Sequence, residues 1–223
     1  MDLYRSNVKY NYLQKFLIKL HKRSHLRRIS ILADEYAFIL KDKMPGEKII
    51  RCLDIGCGDM KIAKILNLQF PQTRWVCVDT FKNEENLNNS KLKYLRYDGV
   101  LIPYECQNYD FVLFSDVLHH VDGNKYTLLE QASAISKFII IKDHFENGFF
   151  SRSILQLMDL FGNWGHKISI PSKYFTVDSF KLLCSNLSLK DIEIKHGIDL
   201  YSKNYILNKI LNKNMQFIAV LTT

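Results

Sequence analysis

Cys52-Leu53-Asp54-Ile55-Gly56-Cys57-Gly58-Asp59 is the stretch on which the fold turns. Ile49, Ile50, Cys52, Leu53 and Ile55 make an apolar run too short for a helix and bounded by glycine, the pattern of a strand buried on both faces. Gly56 and Gly58 then let the backbone turn sharply and approach a ligand closely. The helix expected next, from about Met60 to Leu68, aims its free N–H groups and positive dipole end back at that turn. Asp79 closes the run Trp75-Val76-Cys77-Val78, 21 residues after Gly58. A carboxylate at that strand end can accept two hydrogen bonds from ribose hydroxyls, so the arrangement suits a nucleotide-like ligand.

Spacing alone does not separate a dinucleotide site from an adenosyl site. A dinucleotide fingerprint wants a third glycine three residues past the second, and that position is Lys61. Asp54 and Asp59, which flank the loop, would repel a pyrophosphate but suit a ligand carrying an ammonium and a sulfonium.

The chain continues as alternating strands and helices: strand 48–55, helix 60–69, strand 74–79, helix 83–90, strand 93–98, strand 110–116, helix 123–135 and strand 137–143. Beyond these, 177–187 reads as a helix and 189–196 and 215–221 as strands. That order predicts a Rossmann-like, doubly wound α/β fold. Its carboxyl edge, where such folds bind ligands, would carry Asp54, Asp79 and Asp98. Residues 1–43 read as an N-terminal helical cap of two amphipathic helices, one on Tyr10, Leu13, Phe16, Leu17 and Leu20, the other on Ile29, Leu32, Ala33, Tyr36 and Leu40. Residues 44–223 would form one globular unit. The lysine- and asparagine-rich stretch from Lys203 to Asn214 reads as an exposed excursion between the last two strands.

With these segments in hand, the chain resembles the class I S-adenosylmethionine-dependent methyltransferases, in particular the small-molecule enzymes related to quinone biosynthesis. Leu53 to Asp59 match the family's first motif, except that a third glycine often found two residues after Gly58 is Met60. Asp79 matches the acidic end of the second strand. Tyr94-Leu95-Arg96-Tyr97-Asp98-Gly99 matches the third, whose aspartate lies beside the adenine amino group in that family. Tyr109 to Val121, which includes Ser115-Asp116-Val117-Leu118-His119-His120, is similar to the fourth.

The resemblance covers residues 48–145 well. It implies a seven-stranded, mostly parallel sheet with an antiparallel last strand. It also implies S-adenosylmethionine as cofactor, with S-adenosylhomocysteine as product. Asp54, Gly56, Gly58, Asp79, Asp98, Gly99 and Ser115 are the residues expected around the cofactor.

Acceptor chemistry is expected past the fourth and fifth strands. His119-His120 follows the fourth, and Asp143-His144 ends the apolar run Phe138-Ile139-Ile140-Ile141-Lys142. Methyl transfer is an in-line displacement, so the protein mainly aligns and desolvates, and a base is needed only where the acceptor must lose a proton. His120, Asp143 and His144 are the candidates for acceptor binding or general-base work, against the plainer reading of rim or helix-start residues. Trp164, Tyr174 and Phe175 would wall an acceptor pocket or pack an insertion onto the sheet.

Composition bounds the function. The chain has 223 residues, 47% hydrophobic, and a net charge of +8. That is a normal globular balance, with no apolar stretch near the length of a membrane span and no secretory leader pattern, so a cytoplasmic location is expected. The five cysteines include no C-x-x-C pair, which argues against a disulfide framework and a cysteine zinc site, and no metal is called for.

Residues 1–43 carry 10 Lys/Arg against 4 Asp/Glu, densest at His21-Lys22-Arg23-Ser24-His25-Leu26-Arg27-Arg28. That cluster is either a solvated helix face, a contact to an anionic acceptor or to the cofactor's carboxylate, or an approach to an acidic membrane surface.

The expected reaction moves a methyl to an oxygen or nitrogen of a small molecule. The fourth motif lacks the Asn/Asp-Pro-Pro-aromatic signature of base-amino methylation, and +8 is modest for this length, which argues against a nucleic-acid acceptor. The alternatives are a nucleic-acid methyltransferase and a non-catalytic adenosyl- or partner-binding module.

Overall fold

The computed structural model describes residues 12–46, 49–81, 89–103, 105–121, 123–162, 170–187, 189–200 and 213–223. One helix, α1 (Tyr12–Lys43), occupies the segment in which the sequence suggests two. The basic stretch between the two apolar patterns contains neither glycine nor proline and mixes Lys, Arg and Leu with two His and one Ser, none of which breaks a helix. Met44-Pro45-Gly46 ends it, with Gly46 at φ +79° and Lys41 and Lys43 in the last turn. Ile29, Leu32, Ala33, Tyr36 and Leu40 form its buried face, as their spacing predicts. The side chains of the proposed first amphipathic pattern lie outside the described residues, as do 82–88, where the helix 83–90 was expected, and 201–212, most of the expected excursion.

Strands β1 (Ile50–Ile55), β2 (Thr73–Asp79), β3 (Leu92–Arg96), β4 (Tyr109–Ser115), β5 (Ser136–His144), β6 (Lys190–His196) and β7 (Gln216–Thr222) form one sheet in the order β3-β2-β1-β4-β5-β7-β6. β1 to β5 pair in parallel, and β7 runs antiparallel to both β5 and β6. The sheet changes direction between β1 and β4, and the carboxyl ends of those two strands flank the ligand crevice expected of a doubly wound fold.

The strand interiors face apolar layers on both sides, which accounts for their continuous apolar runs. Phe111 and Leu113 point toward α1 and α2 (Lys61–Gln69), together with Cys52, Trp75 and Cys77. Val112 and Phe114 point the other way, toward Leu128, Leu129 and Ala132 of α3 (Lys125–Ile135) and toward Phe180 and Cys184 of α5 (Val177–Asn186). Thr176 and Ser179 cap α5 reciprocally. Helix α4 (Phe149–Gly162) follows β5 in the chain. Arg152 clamps it by donating from Nε and Nη2 to both carboxylate oxygens of Glu146, at 2.8 and 2.6 Å.

Candidate active site

The glycine turn is tied to β2 from both directions. Gly56 N and Cys57 N donate to Val78 O at 2.8 and 3.2 Å, and Gly58 N donates to Asp79 Oδ2 at 2.7 Å. Asp79 Oδ1 accepts from Phe81 N at 3.2 Å. A carboxylate has about four lone-pair positions, so Asp79 anchors the loop and retains acceptor capacity for a ligand. Gly56 sits at φ +73°, and a Cβ there would lie 2.3 Å from Val117 Cγ2. Gly58, at φ +54°, has nothing within 4 Å on its Cβ side, which leaves that face of the turn open. Met60, where the family often has glycine, is buried and also left-handed at φ +61°, a conformation that costs a non-glycine residue about 1–2 kcal/mol.

Asp54 is 2% exposed at the end of β1. Burial, and then the neighbouring Asp79 carboxylate, push its pKa up to about 7. Between its ordinary value of 3.8 and about 7 the folded chain keeps a proton that the unfolded chain has released. Stability therefore falls as pH rises through that window, and the full penalty is present above it. Asp54→Asn is expected to stabilise the ligand-free protein at pH 8, by at most about 4 kcal/mol, and to have little effect near pH 4. Urea unfolding at the two pH values checks this, and an equal effect at both would contradict a proton on Asp54.

Asp98 lies exposed two residues past the end of β3, which stops at Arg96 rather than running on to Asp98 as the sequence suggests. Its Oδ1 accepts from Val100 N and Leu101 N, both at 2.8 Å, and these backbone bonds hold its pKa below the usual range. Gly99 follows at φ +88°, where a Cβ would come within 3.1 Å of Thr80 Cγ2. Ser115 Oγ lies 2.9 Å from Tyr36 Oη, so this expected cofactor neighbour is engaged by α1.

Asp116, at φ +59°, follows Ser115 and pairs with Arg28 of α1 and with the fully buried Lys142 of β5. Burial would raise the Asp116 pKa, but Arg28, Lys142, His144 and His119 together hold it well below the usual carboxylate range. Arg28 belongs to the basic cluster and Tyr36 to the apolar helix face read from the sequence, but neither these two nor Asp116 and Lys142 is predicted there to meet around the end of β4. Besides that cluster, the sequence signal is Lys142, a charge inside an otherwise apolar strand.

Past β4, Leu118–His120 forms a single 3-10 turn. His119 Nδ1 lies 2.6 Å from Asp143 Oδ1, and His119 N donates to Asp143 Oδ2 at 3.2 Å. His144 N also donates to Asp143 Oδ1, at 2.7 Å. Asp143 is fully buried, so the strand-end carboxylate expected to face an acceptor instead fixes two neighbouring histidines. Despite that burial, His119 and His144 keep its pKa below the usual carboxylate range.

The three histidines differ in character. Burial alone would lower His119, but Asp143 and Asp159 push it up to about 10, so it is a cation at neutral pH. Burial, with the Lys142 ammonium beside it, pushes His144 down to about 4, so it is neutral. His120 is half-buried, with its ring centroid 4.0 Å from that of His119.

Tyr174 Oη donates to Asp159 of α4, and Phe175 packs edge-on against Phe180 and Phe217. The described aromatics of this segment are thus buried packing groups, and Trp164 lies outside the described residues. The Cys57 thiol is pushed well up by its hydrogen bond with Cys77 and by burial, which leaves it un-ionised. A groove of about 330 Å³ lined by Arg51, Arg74, Trp75, Lys91 and Tyr109 lies at the amino ends of the strands, opposite the glycine turn.

A model of the methyltransferase domain family matches residues 23–194. No curated protein sequence matches at a significant level. Among solved structures, the plantazolicin methyltransferase BpumL in complex with SAH is similar at 16% identity, over 96% of this chain and 91% of that one, with a TM-score of 0.64. The CurJ carbon methyltransferase is similar at 16% identity over 82% and 50%, with a TM-score of 0.56. An O-methyltransferase family 2 protein from Planctomyces limnophilus, in complex with apigenin, is similar at 14% over 91% and 61%, with a TM-score of 0.58. At these identities the likeness is one of fold. No helix among the described residues is long and apolar enough to cross a membrane.

Proposed function

The chain belongs to the methyltransferase domain family, and from that premise we propose that it moves a methyl group from S-adenosylmethionine to an oxygen or nitrogen of a small-molecule acceptor. The observation that carries the cofactor assignment is the Gly56–Gly58 turn held by the Asp79 carboxylate beside the buried Asp54. In this reading Asp79 receives the ribose hydroxyls. Gly56 and Gly58 let the backbone approach the ligand. Asp54 offers negative charge to the ammonium and sulfonium end, and Asp98 and Gly99 border the adenine. Ser115, held by Tyr36, fixes the end of β4 next to the transferred methyl. Residues 44–223 carry the transferase, and α1 within the segment 1–43 caps it. The SAH bound to the similarly folded BpumL supports the same cofactor here.

In the transfer the S–CH3 bond breaks as a bond from carbon to the acceptor oxygen or nitrogen forms. The sulfonium becomes the neutral thioether of S-adenosylhomocysteine, and a neutral acceptor gives up one proton. His119 already holds a proton at neutral pH, and Asp143 is enclosed. Asp143 and His144 are therefore positioning residues. The half-buried His120 is the member of the candidate trio able to meet an acceptor and take its proton. The small-molecule assignment is supported by Ser115-Asp116-Val117-Leu118, which stands where a base-amino methylase would carry its proline pair.

The test is to incubate the protein with methyl-labelled S-adenosylmethionine and a panel of phenols, amines and carboxylates, with transfer RNA as the nucleic-acid control. Label is expected in a small acceptor. His120→Ala is expected to slow transfer at least about tenfold while leaving cofactor affinity within about twofold. Label in RNA alone, or equal loss of affinity and rate in the variant, would contradict the reading.

A further inference from the structure

His119 Nε2 is a buried ring nitrogen without a hydrogen-bond partner, on a residue only 1% exposed. It makes only a long ion-pair contact with Asp159 Oδ2 of α4, at 3.5 Å, through a proton that a bound metal ion would displace. A charge-assisted hydrogen bond would close to about 2.7–2.9 Å. Two ligands of a tetrahedral zinc, each about 2.1 Å from the ion, stand about 3.4 Å apart. The separation is thus too long for the first and suited to the second. A donor atom of His120 completes a set of three in which all ligand atoms lie within 4.8 Å of one another.

We propose that the 3-10 turn after β4 and helix α4 together bind a divalent zinc ion through His119, His120 and Asp159.

The surroundings fit such a site. The other ring nitrogen of His119, Nδ1, is held by Asp143 Oδ1 at 2.6 Å, the carboxylate–histidine arrangement that orients a metal-ligating imidazole. Asp159 Oδ2 is itself held by the Tyr174 hydroxyl, so the ligating carboxylate has a supporting hydrogen bond as well. Asp143 and Asp159 supply two negative charges for a divalent ion. His119, Asp143 and His144 also stand close enough to share an ion. That grouping is fully buried, however, and Asp143 Oδ1 is already taken by the His119 ring and by His144 N. His120 and Asp159 are half-buried, which gives the chosen site a path to solvent.

Three protein ligands leave a fourth position open, the arrangement of a zinc that binds an exchangeable water or a substrate oxygen. The proposal deepens the acceptor side of the function above and recasts His120 there as a ligand of the ion: an acceptor oxygen held at the fourth position would lose its proton more readily, to solvent, without His120 as the base. It rests on that reading only for this last step, since the ion's binding does not require the cofactor.

The test is a titration of chelator-treated full-length protein, without S-adenosylmethionine, by zinc in calorimetry and by cobalt in visible absorption. One ion per chain is expected at micromolar affinity or tighter, with a cobalt spectrum free of a thiolate charge-transfer band. His120→Ala and Asp159→Asn are each expected to weaken binding at least about tenfold, with unfolding midpoints confirming that both variants are folded. Absence of stoichiometric binding, a thiolate band, or affinity unchanged in both variants would overturn the proposal. Because cofactor binding is measured separately, a protein that takes zinc but not S-adenosylmethionine would sink the function above and leave this site standing.

Discussion

Replacing Asp79 by alanine is expected to lower affinity for S-adenosylmethionine by at least about a hundredfold, since two hydrogen bonds from ribose hydroxyls to a buried carboxylate contribute about 1.5–3 kcal/mol each. The side chain does two things in the ligand-free protein. It accepts from Gly58 N at 2.7 Å and from Phe81 N at 3.2 Å, so alanine also releases the glycine turn from the end of β2. The loss should therefore be larger than the ribose bonds alone would give, and Asp79→Asn should recover part of it. Calorimetric titration of both variants checks the ranking. Undiminished affinity in the alanine variant would remove the ribose role.

Gly56→Ala should be more damaging still to the folded turn. The new Cβ would stand 2.3 Å from Val117 Cγ2, far inside van der Waals contact, on a backbone at φ +73°. The left-handed strain alone costs about 1–2 kcal/mol, and the clash forces Val117 or the turn to move. Cofactor binding is expected to disappear and the unfolding midpoint to drop. Pairing the change with Val117→Ala should return part of the stability, because the clash is then relieved while the strain remains. Gly58→Ala is the contrast: at φ +54° it carries the same left-handed strain, but its Cβ meets nothing within 4 Å, so it should lose less stability and lose affinity chiefly where the methyl intrudes on the ligand. If Gly56→Ala and Gly58→Ala fall equally in stability, the packing of Val117 is not what makes position 56 a glycine.

Much of this architecture is legible without coordinates because its signals are local. A five-residue apolar run, two glycines and a spaced aspartate report strand, turn and strand end within one segment each. The alternation of such segments leaves few topologies. The reversed strand β7 was expected from family resemblance, since periodicity does not carry strand direction. The single long α1 was missed because two apolar patterns out of phase suggest a break, whereas a helix ends only where the chain stops favouring it, here at Pro45 and Gly46.

The acceptor side was only partly legible for a related reason. His120, Asp143 and His144 stand out as strand-end polar groups, but their environment is made by distant residues. Asp159 and Tyr174 arrive from α4 and the segment before α5, and Arg28 arrives from α1. Burial then reverses the roles that exposure would assign: Asp143 holds histidines, and His119, adjacent to the histidine chosen from sequence, sits at the centre of the network. Its signal was present in the His-His pair, but nothing in the sequence says which of two neighbours turns inward.

The central claim is that the turn at Gly56–Gly58 and the Asp79 carboxylate form an adenosyl site. Calorimetric titration of the purified protein with S-adenosylmethionine and S-adenosylhomocysteine, with NAD as control, tests it most directly. Micromolar binding of the two adenosyl ligands and none of NAD is the predicted result. Binding of NAD in their place, or of none of the three, would contradict the assignment.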